Sequence, residues 1–175
     1  MAQLSDDCFA FGGKLQSLEA ALGLIGRSVG CVAGTEFVEL MAADGRVLAQ
    51  DLTAPVDLPP FANSAVDGYA VRLEEVAAGA LPISGRLAAG HEAGPLVTGT
   101  AQRIFTGAPM PAGADTVFMQ EDVTLSGDGV VLPPGLRRGS NTRPAGEDIA
   151  RGARALAAGL RLQPQDVALA AALGV

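Results

Sequence analysis

From Ala54 onward, proline and glycine recur so often that a long helix has no room until the closing residues. Proline fixes φ, lacks an N–H and turns the residue before it away from helix. The stretch APVDLPPF, 54–61, is therefore expected to be extended. Between the breakers lie short runs rich in β-favouring residues: YAVRL, LPISGRL, QRIFTG, DTVFMQEDVTL and, after the SGDG turn at 126–129, VVLPP. With 23 Gly and 11 Pro in 175 residues, many turns are required. Strands of this length and spacing predict a barrel or sandwich-like β unit.

Helical patterning occurs at the two ends. KLQSLEAALGLIGRSVG carries Leu15, Leu18, Leu22 and Ile25 at helical spacing, and Gly30 suits its end. TEFVELM follows as an expected strand, then an Asp44-Gly45 turn, then RVLAQDL, which reads as either a short helix or a strand. In the closing LRLQPQDVALAAALGV, Pro164 falls at a first helical position and Gly174 at a C-terminal cap. The expected fold is mainly β with a few helices. A small mixed α/β lobe is built from 1–51 and 137–175, and a β-rich lobe, 52–136, is inserted into it.

The chain has room for a packed core, since 49% of its residues are hydrophobic. It has no apolar run near the roughly 20 residues that span a bilayer, and its N-terminus does not read as a secretory signal. We expect a soluble cytoplasmic protein with no membrane contact. Two isolated cysteines, Cys8 and Cys31, do not make a disulfide framework, and a single histidine, His91, argues against a zinc site. No metal ligand is assigned. A net charge of −7 disfavours nucleic acid as a partner. The charge is uneven: 1–136 carry 6 Lys/Arg against 16 Asp/Glu, whereas 137–175 carry 6 Arg against 3 acidic groups. The basic segment suits an anionic ligand or an acidic interface, or is simply a solvated face.

Three polar clusters are candidate sites. In FANSAVDGYAVR, Asn63, Ser64, Asp67 and Gly68 lie between apolar anchors. This is either a hairpin corner, with Gly68 accepting positive φ, or a loop held rigid for a ligand. In RIFTGAPMPAGADTV, Thr106-Gly107 ends a strand and two prolines stiffen the turn, again as a corner or as a donor loop. In NTRPAGEDIARG, Arg143 stands four residues before Glu147, with Asp148 next, as an ion pair or a polar binding element. No serine or cysteine nucleophile has a readable base, and there is no phosphate-cradling glycine motif. His91, in HEAG, reads as an exposed loop residue.

Taken together and in this order, PPFANSAVDGYAVR, RIFTGAPMPAGADTVFMQED and NTRPAGEDIARG resemble the N-terminal half of the molybdopterin molybdenumtransferases, the family that includes the E domain of gephyrin. The resemblance runs from about residue 15 to the end. It implies a mixed lobe plus a β-rich lobe with a branched sheet. It implies insertion of molybdate into adenylylated molybdopterin, with Mg2+, in an elongated homodimer. Expected partners are the molybdopterin adenylyltransferase and the molybdoenzymes that receive the cofactor. Carried over by position, Asp67, Thr106 and Asp148 are implied as catalytic, and Asn63, Ser64, Arg143 and Glu147 as cofactor-binding. Ser64 and Thr106 are candidate donors to oxyanions, and Arg143 to a phosphate or carboxylate. Asp67 would repel molybdate, which leaves it positioning, proton handling or a cation contact.

Ala62 and Val66 depart from the aspartate and methionine usual in the family. The family's pterin-binding α/β domain and small β domain are expected to lie outside this chain. The chain would then contribute a dimer surface and a lid over the partner's active site, hold no cofactor tightly and be inactive alone. The alternative is a stand-alone dimerisation, scaffold or cofactor-carrier module without catalysis.

Overall fold

The computed structural model describes residues 16–76 and 79–175, and the chain divides into a unit ending at Phe37 and a unit Val38–Val175. In the first unit, helix α1, Leu18–Ser28, begins at Ser17, whose hydroxyl accepts the backbone N–H of Ala20. That satisfies one of the orphan donors of a helix start. Glu19 lies in the first turn and Arg27 in the last, each matching the sign of the helix dipole. The helix ends at Ser28, before Gly30, with Val29 as its C-cap. Lys14 and Leu15 of the expected helix lie outside the described residues.

Among its described residues the second unit has ten short strands and one α-helix. In chain order the strands are β1 Leu52–Thr53, β2 Asn63–Ser64, β3 Gly68–Val71, β4 Ala80–Leu87, β5 Ala101–Ile104, β6 Thr116–Met119, β7 Thr124–Ser126, β8 Gly129–Val131, β9 Thr142–Arg143 and β10 Arg154–Leu156, followed by helix α2, Pro164–Ala172. Six strands form a mixed sheet in the order β6-β3-β5-β4-β8-β7. β4 gives the sheet its branch. Its first residues, Ala80–Pro82, pair antiparallel with β8, and its later residues, Ile83–Leu87, pair parallel with β5. Just past the change of partner, the β4–β5 register shifts between Ile83 and Gly85. A glycine within a strand often marks such an irregularity.

Every residue of β3 is buried. Its neighbours on either side explain this, and each face of the sheet carries its own core. Tyr69, Val71, Ala101 and Phe118 lie on one face with Leu81 and Val130. Ala70, Ile104, Leu87 and Val117 lie on the other with Ala108. Alternation of side chains along each strand separates the two sets. A third cluster joins Ala43, Leu156 and Leu162 with Leu48, Leu52, Val167 and Leu169, around the separate β1–β10 ladder. Helix α2 has Pro164 in its first turn and a capping box between Gln163 and Asp166, as its sequence pattern requires.

Three local expectations are corrected. TEFVELM is not a strand: it joins no ladder, and Leu40–Ala42 forms a 3-10 turn instead. β-favouring residues make a strand only where a partner backbone is available. RVLAQDL is neither a helix nor one strand. It contributes a single bridge, Val47 to Arg161, and the first residue of β1. DTVFMQEDVTL is two strands, β6 and β7, separated by a turn over Gln120–Asp122. Among the described residues no helix is long and apolar enough to cross a membrane.

Candidate functional site

The polar loop 61–68 is the hub of the site. Its strand β2 pairs antiparallel with β9, matching Asn63 with Arg143 and Ser64 with Thr142. On its other side it is bonded to the TGAPM stretch. Ser64 N donates to Ala108 O at 3.0 Å, Gly107 N to Ser64 O at 2.9 Å, and Met110 N to Ala62 O at 2.9 Å. Three motifs distant in sequence thus become one hydrogen-bonded unit with β2 in the middle. Ala62 takes part through its backbone carbonyl, so the departure at that position leaves this link intact.

Asn63 and Ser64 are buried, and their side chains bond within their own loop. Ser64 Oγ donates to Val66 O at 2.6 Å, and Asn63 Nδ2 donates to Phe61 O at 3.3 Å. The Ser64 proton that could have met an oxyanion is used to shape the loop. Among the described residues no buried side-chain N or O lacks a partner.

Asp67 joins the first two clusters by side chain. Its Oδ1 accepts the Thr106 backbone N–H at 2.8 Å and the Thr106 hydroxyl at 2.7 Å. The Thr106 N–H and then its hydroxyl hold the Asp67 carboxyl below its ordinary value; desolvation opposes them, and the Arg103 guanidinium adds a still smaller lowering. Asp67 is therefore a carboxylate at neutral pH. Both donors meet on Oδ1, and Oδ2 makes no hydrogen bond among the described residues.

Gly68 follows for a steric reason, not the conformational one expected. It is not among the residues with positive φ. A Cβ built there would lie 1.9 Å from the carbonyl oxygen of Phe118, so β3 and β6 pack this closely only because the residue is glycine.

The third cluster is organised by one guanidinium. Arg143 Nε donates to Glu147 Oε2 at 2.5 Å and Nη2 to Asp148 Oδ1 at 2.6 Å. The bonds to Glu147, then to Asp148, raise the Arg143 pKa further above its ordinary value. The loop carrying both acids is pinned to the proline stretch: Gly146 N donates to Pro59 O, Asp148 N to Leu58 O, and Leu58 N to Ile149 O. Gly146 has φ +71, a backbone conformation that favours glycine, and a Cβ there would also crowd the Asp57 carboxylate at 2.9 Å.

The sequence reading missed two groups. Asn141 sits at φ +58 just before β9. Its Nδ2 donates to Val117 O at 2.8 Å, and its carbonyl accepts the Ala65 N–H at 3.0 Å. It therefore ties β6 to the hub loop. An Asn after Gly-Ser, where a left-handed residue is tolerated, was the available signal. The second group is Arg86 and Arg103, whose guanidinium carbons stand 4.6 Å and 4.7 Å from the centroid of the Phe105 ring. Arg103 opens the RIFTGAPMPAGADTV motif but was given no role there, and Arg86 lies in no motif.

These residues do not form a divalent-cation site by themselves. Among the described residues no three His, Cys, Asp or Glu side chains stand close enough together to hold a metal ion. The acids of the third cluster are already bridged by Arg143.

The model of the MoeA N-terminal region (domain I and II) matches residues 16–174. The chain is 42% identical over 149 residues to a molybdopterin molybdenumtransferase of Synechococcus elongatus, covering 80% of this chain and 37% of that protein. It is 40% identical over 146 residues to one from Haemophilus influenzae, covering 81% and 36%. A crystal structure of the molybdopterin biosynthesis moeA protein from Pyrococcus horikoshii superposes with a TM-score of 0.81 at 39% identity, over 93% of this chain and 45% of that one. The chain thus spans a little over a third of the length of these curated relatives. With a family model over nearly all of the described residues, and with the three motifs folded into one unit, the chain belongs to the MoeA N-terminal region family.

Proposed function

We propose that this chain supplies domains I and II of a molybdenum cofactor biosynthesis protein that inserts molybdate into adenylylated molybdopterin. Its role is to present fixed carboxylates and a dimer surface, closing as a lid over the pterin site of the partner subunit. The observation that supports this best is the joining of the three motifs through β2. That joining holds Asp67, Glu147 and Asp148 on one connected backbone unit.

Each of the three carboxylates keeps one oxygen without a hydrogen bond among the described residues: Asp67 Oδ2, Glu147 Oε1 and Asp148 Oδ2. A carboxylate anchored by one oxygen can accept a ligand N–H or O–H, or take a proton, with the other, and it does so from a set position. The Thr106 and Arg143 donors supply the anchoring. On this reading Asn63 and Ser64 act by holding the loop, and Arg143 orients the acids.

The test is isothermal titration of molybdopterin into the chain alone, and into the chain mixed with the separately produced C-terminal portion of a relative. Binding only in the mixture, at higher affinity than the C-terminal portion shows alone, supports the lid. Tight binding by the chain alone would replace the lid with a carrier. Identical affinity with and without the chain would remove any role at the pterin site.

A further inference from the structure

Two arginines stand directly opposite each other on neighbouring strands. Arg86 of β4 and Arg103 of β5 are register partners, and Arg103 is also paired with Tyr69 of β3. The three residues form a row across the sheet. Like charges placed opposite each other in a sheet are unfavourable. The protein has 19 acidic against 12 basic residues, so carboxylates are plentiful. Yet among the described residues neither Arg86 nor Arg103 is in an ion pair.

Both guanidinium groups are held in place by aromatic rings. Each contacts Phe105, and Arg103 also lies 5.2 Å from the Tyr69 centroid. Arg103 Nη1 donates to Gly68 O at 3.2 Å and Nη2 donates to the Gln120 side chain. The Arg86 side chain makes no hydrogen bond among the described residues and is exposed, so its guanidinium N–H donors are available. Phe105 immediately precedes Thr106, which sets the pair beside the Asp67–Thr106 contact.

We infer that Arg86 and Arg103, fixed on Phe105, bind a tetrahedral dianionic oxoanion, either the phosphate of a monoester or molybdate itself. Planar guanidinium forks match the oxygens of such an anion and are less strongly hydrated than an ammonium. A dianion between the two arginines offsets their mutual repulsion. Two negative groups lie near: Asp67, whose Oδ1 is occupied by two Thr106 donors, and Glu121, whose Oε1 is occupied by the Gln120 amide that also accepts from Arg103. This inference goes beyond the function proposed above. It concerns an anion held by this chain alone, and its test needs neither pterin nor activity.

The experiment is titration of the whole chain with sodium phosphate at pH 8, and separately with sodium molybdate, at low ionic strength to limit screening. Affinity is read by calorimetry. Tyr69, the single tyrosine in a protein without tryptophan, gives a local emission signal beside Arg103. The expected result is saturable binding and a saturable Tyr69 signal with at least one dianion, both absent with chloride. The anion that saturates identifies the source. In Arg86→Gln the affinity falls at least about tenfold, which corresponds to about 1.4 kcal/mol, while Arg86→Lys retains part of it. The inference is overturned if neither dianion saturates below about 10 mM, a weak affinity on the usual scale. It is equally overturned if Arg86→Gln binds as the wild type does. Arg86 is exposed on its strand, and an unchanged circular dichroism spectrum confirms that the variant folds.

Discussion

Thr106 gives Asp67 two hydrogen bonds on a single oxygen, one from its backbone and one from its hydroxyl, across 39 residues of sequence. That contact locks the DGYA loop to the TGAP loop, and it makes a pH prediction. The Asp67 carboxyl titrates below its ordinary value of 3.8 in the folded protein. Its contribution to stability is therefore complete above that value and is lost as pH falls through the lowered one. In Thr106→Val the backbone donor remains and the hydroxyl is gone. The Asp67 pKa, followed by carboxyl NMR, should rise towards 3.8, and the acid side of the stability profile should flatten. An unchanged titration would show that the hydroxyl bond is absent in solution.

Asp67→Asn in a full-length relative should spare the fold and slow molybdenum insertion by at least about tenfold, because the free carboxylate oxygen is removed. Melting temperature and turnover are measured on the same preparation. Wild-type turnover would take Asp67 out of the site.

Gly68→Ala should destabilise the chain by about 3 kcal/mol, since its methyl group would displace the Phe118 carbonyl where β6 pairs with β3. Gly85→Ala is the control. Nothing lies within 4 Å of a Cβ there, and the cost should stay within about 0.5 kcal/mol. Denaturant unfolding of both variants decides the matter, and equal midpoints would contradict the close approach.

Asn141 tests the link between β6 and the hub loop. Asn141→Gly keeps a residue suited to φ +58 and loses only the bond to Val117 O. Asn141→Ala loses the bond and adds left-handed strain. The alanine variant should be the less stable of the two by about 1 kcal/mol. The reverse order in urea would mean that Asn141 leaves the left-handed region in solution.

Arg143→Ala should hardly change stability, because exposed ion pairs contribute little, and Tm should move by no more than about 2 °C. Molybdenum insertion by the full-length relative should nonetheless fall at least about tenfold, because Glu147 and Asp148 lose the group that orients them. A large fall in Tm with normal turnover would make Arg143 a structural residue alone.

Local rules served well where a segment answers to its own chemistry. The proline and glycine spacing of the β-rich stretch located β3, β4, β5 and β8, and the Pro164 and Gly174 signals located α2. They failed where pairing decides. TEFVELM has the composition of a strand but no partner, and DTVFMQEDVTL is divided by a turn with no glycine or proline in it. The three motifs were legible as clusters, but whether each was a corner or a site was not.

What the sequence determined by itself is the breaker spacing, the runs of β-favouring residues and the motif residues, and with them a mainly β chain of this family. Each depends on properties of a residue and its near neighbours: a fixed φ, a missing Cβ, a branched or aromatic side chain. Only the tertiary structure decided that FANS lies between TGAPM and NTRP, that Ser64 turns its proton to Val66, that Gly68 is required by the Phe118 carbonyl, and that Arg86 and Arg103 face each other on Phe105. Those are contacts between strands distant in sequence. Register and distance arise when the strands pair, and no local pattern carries them.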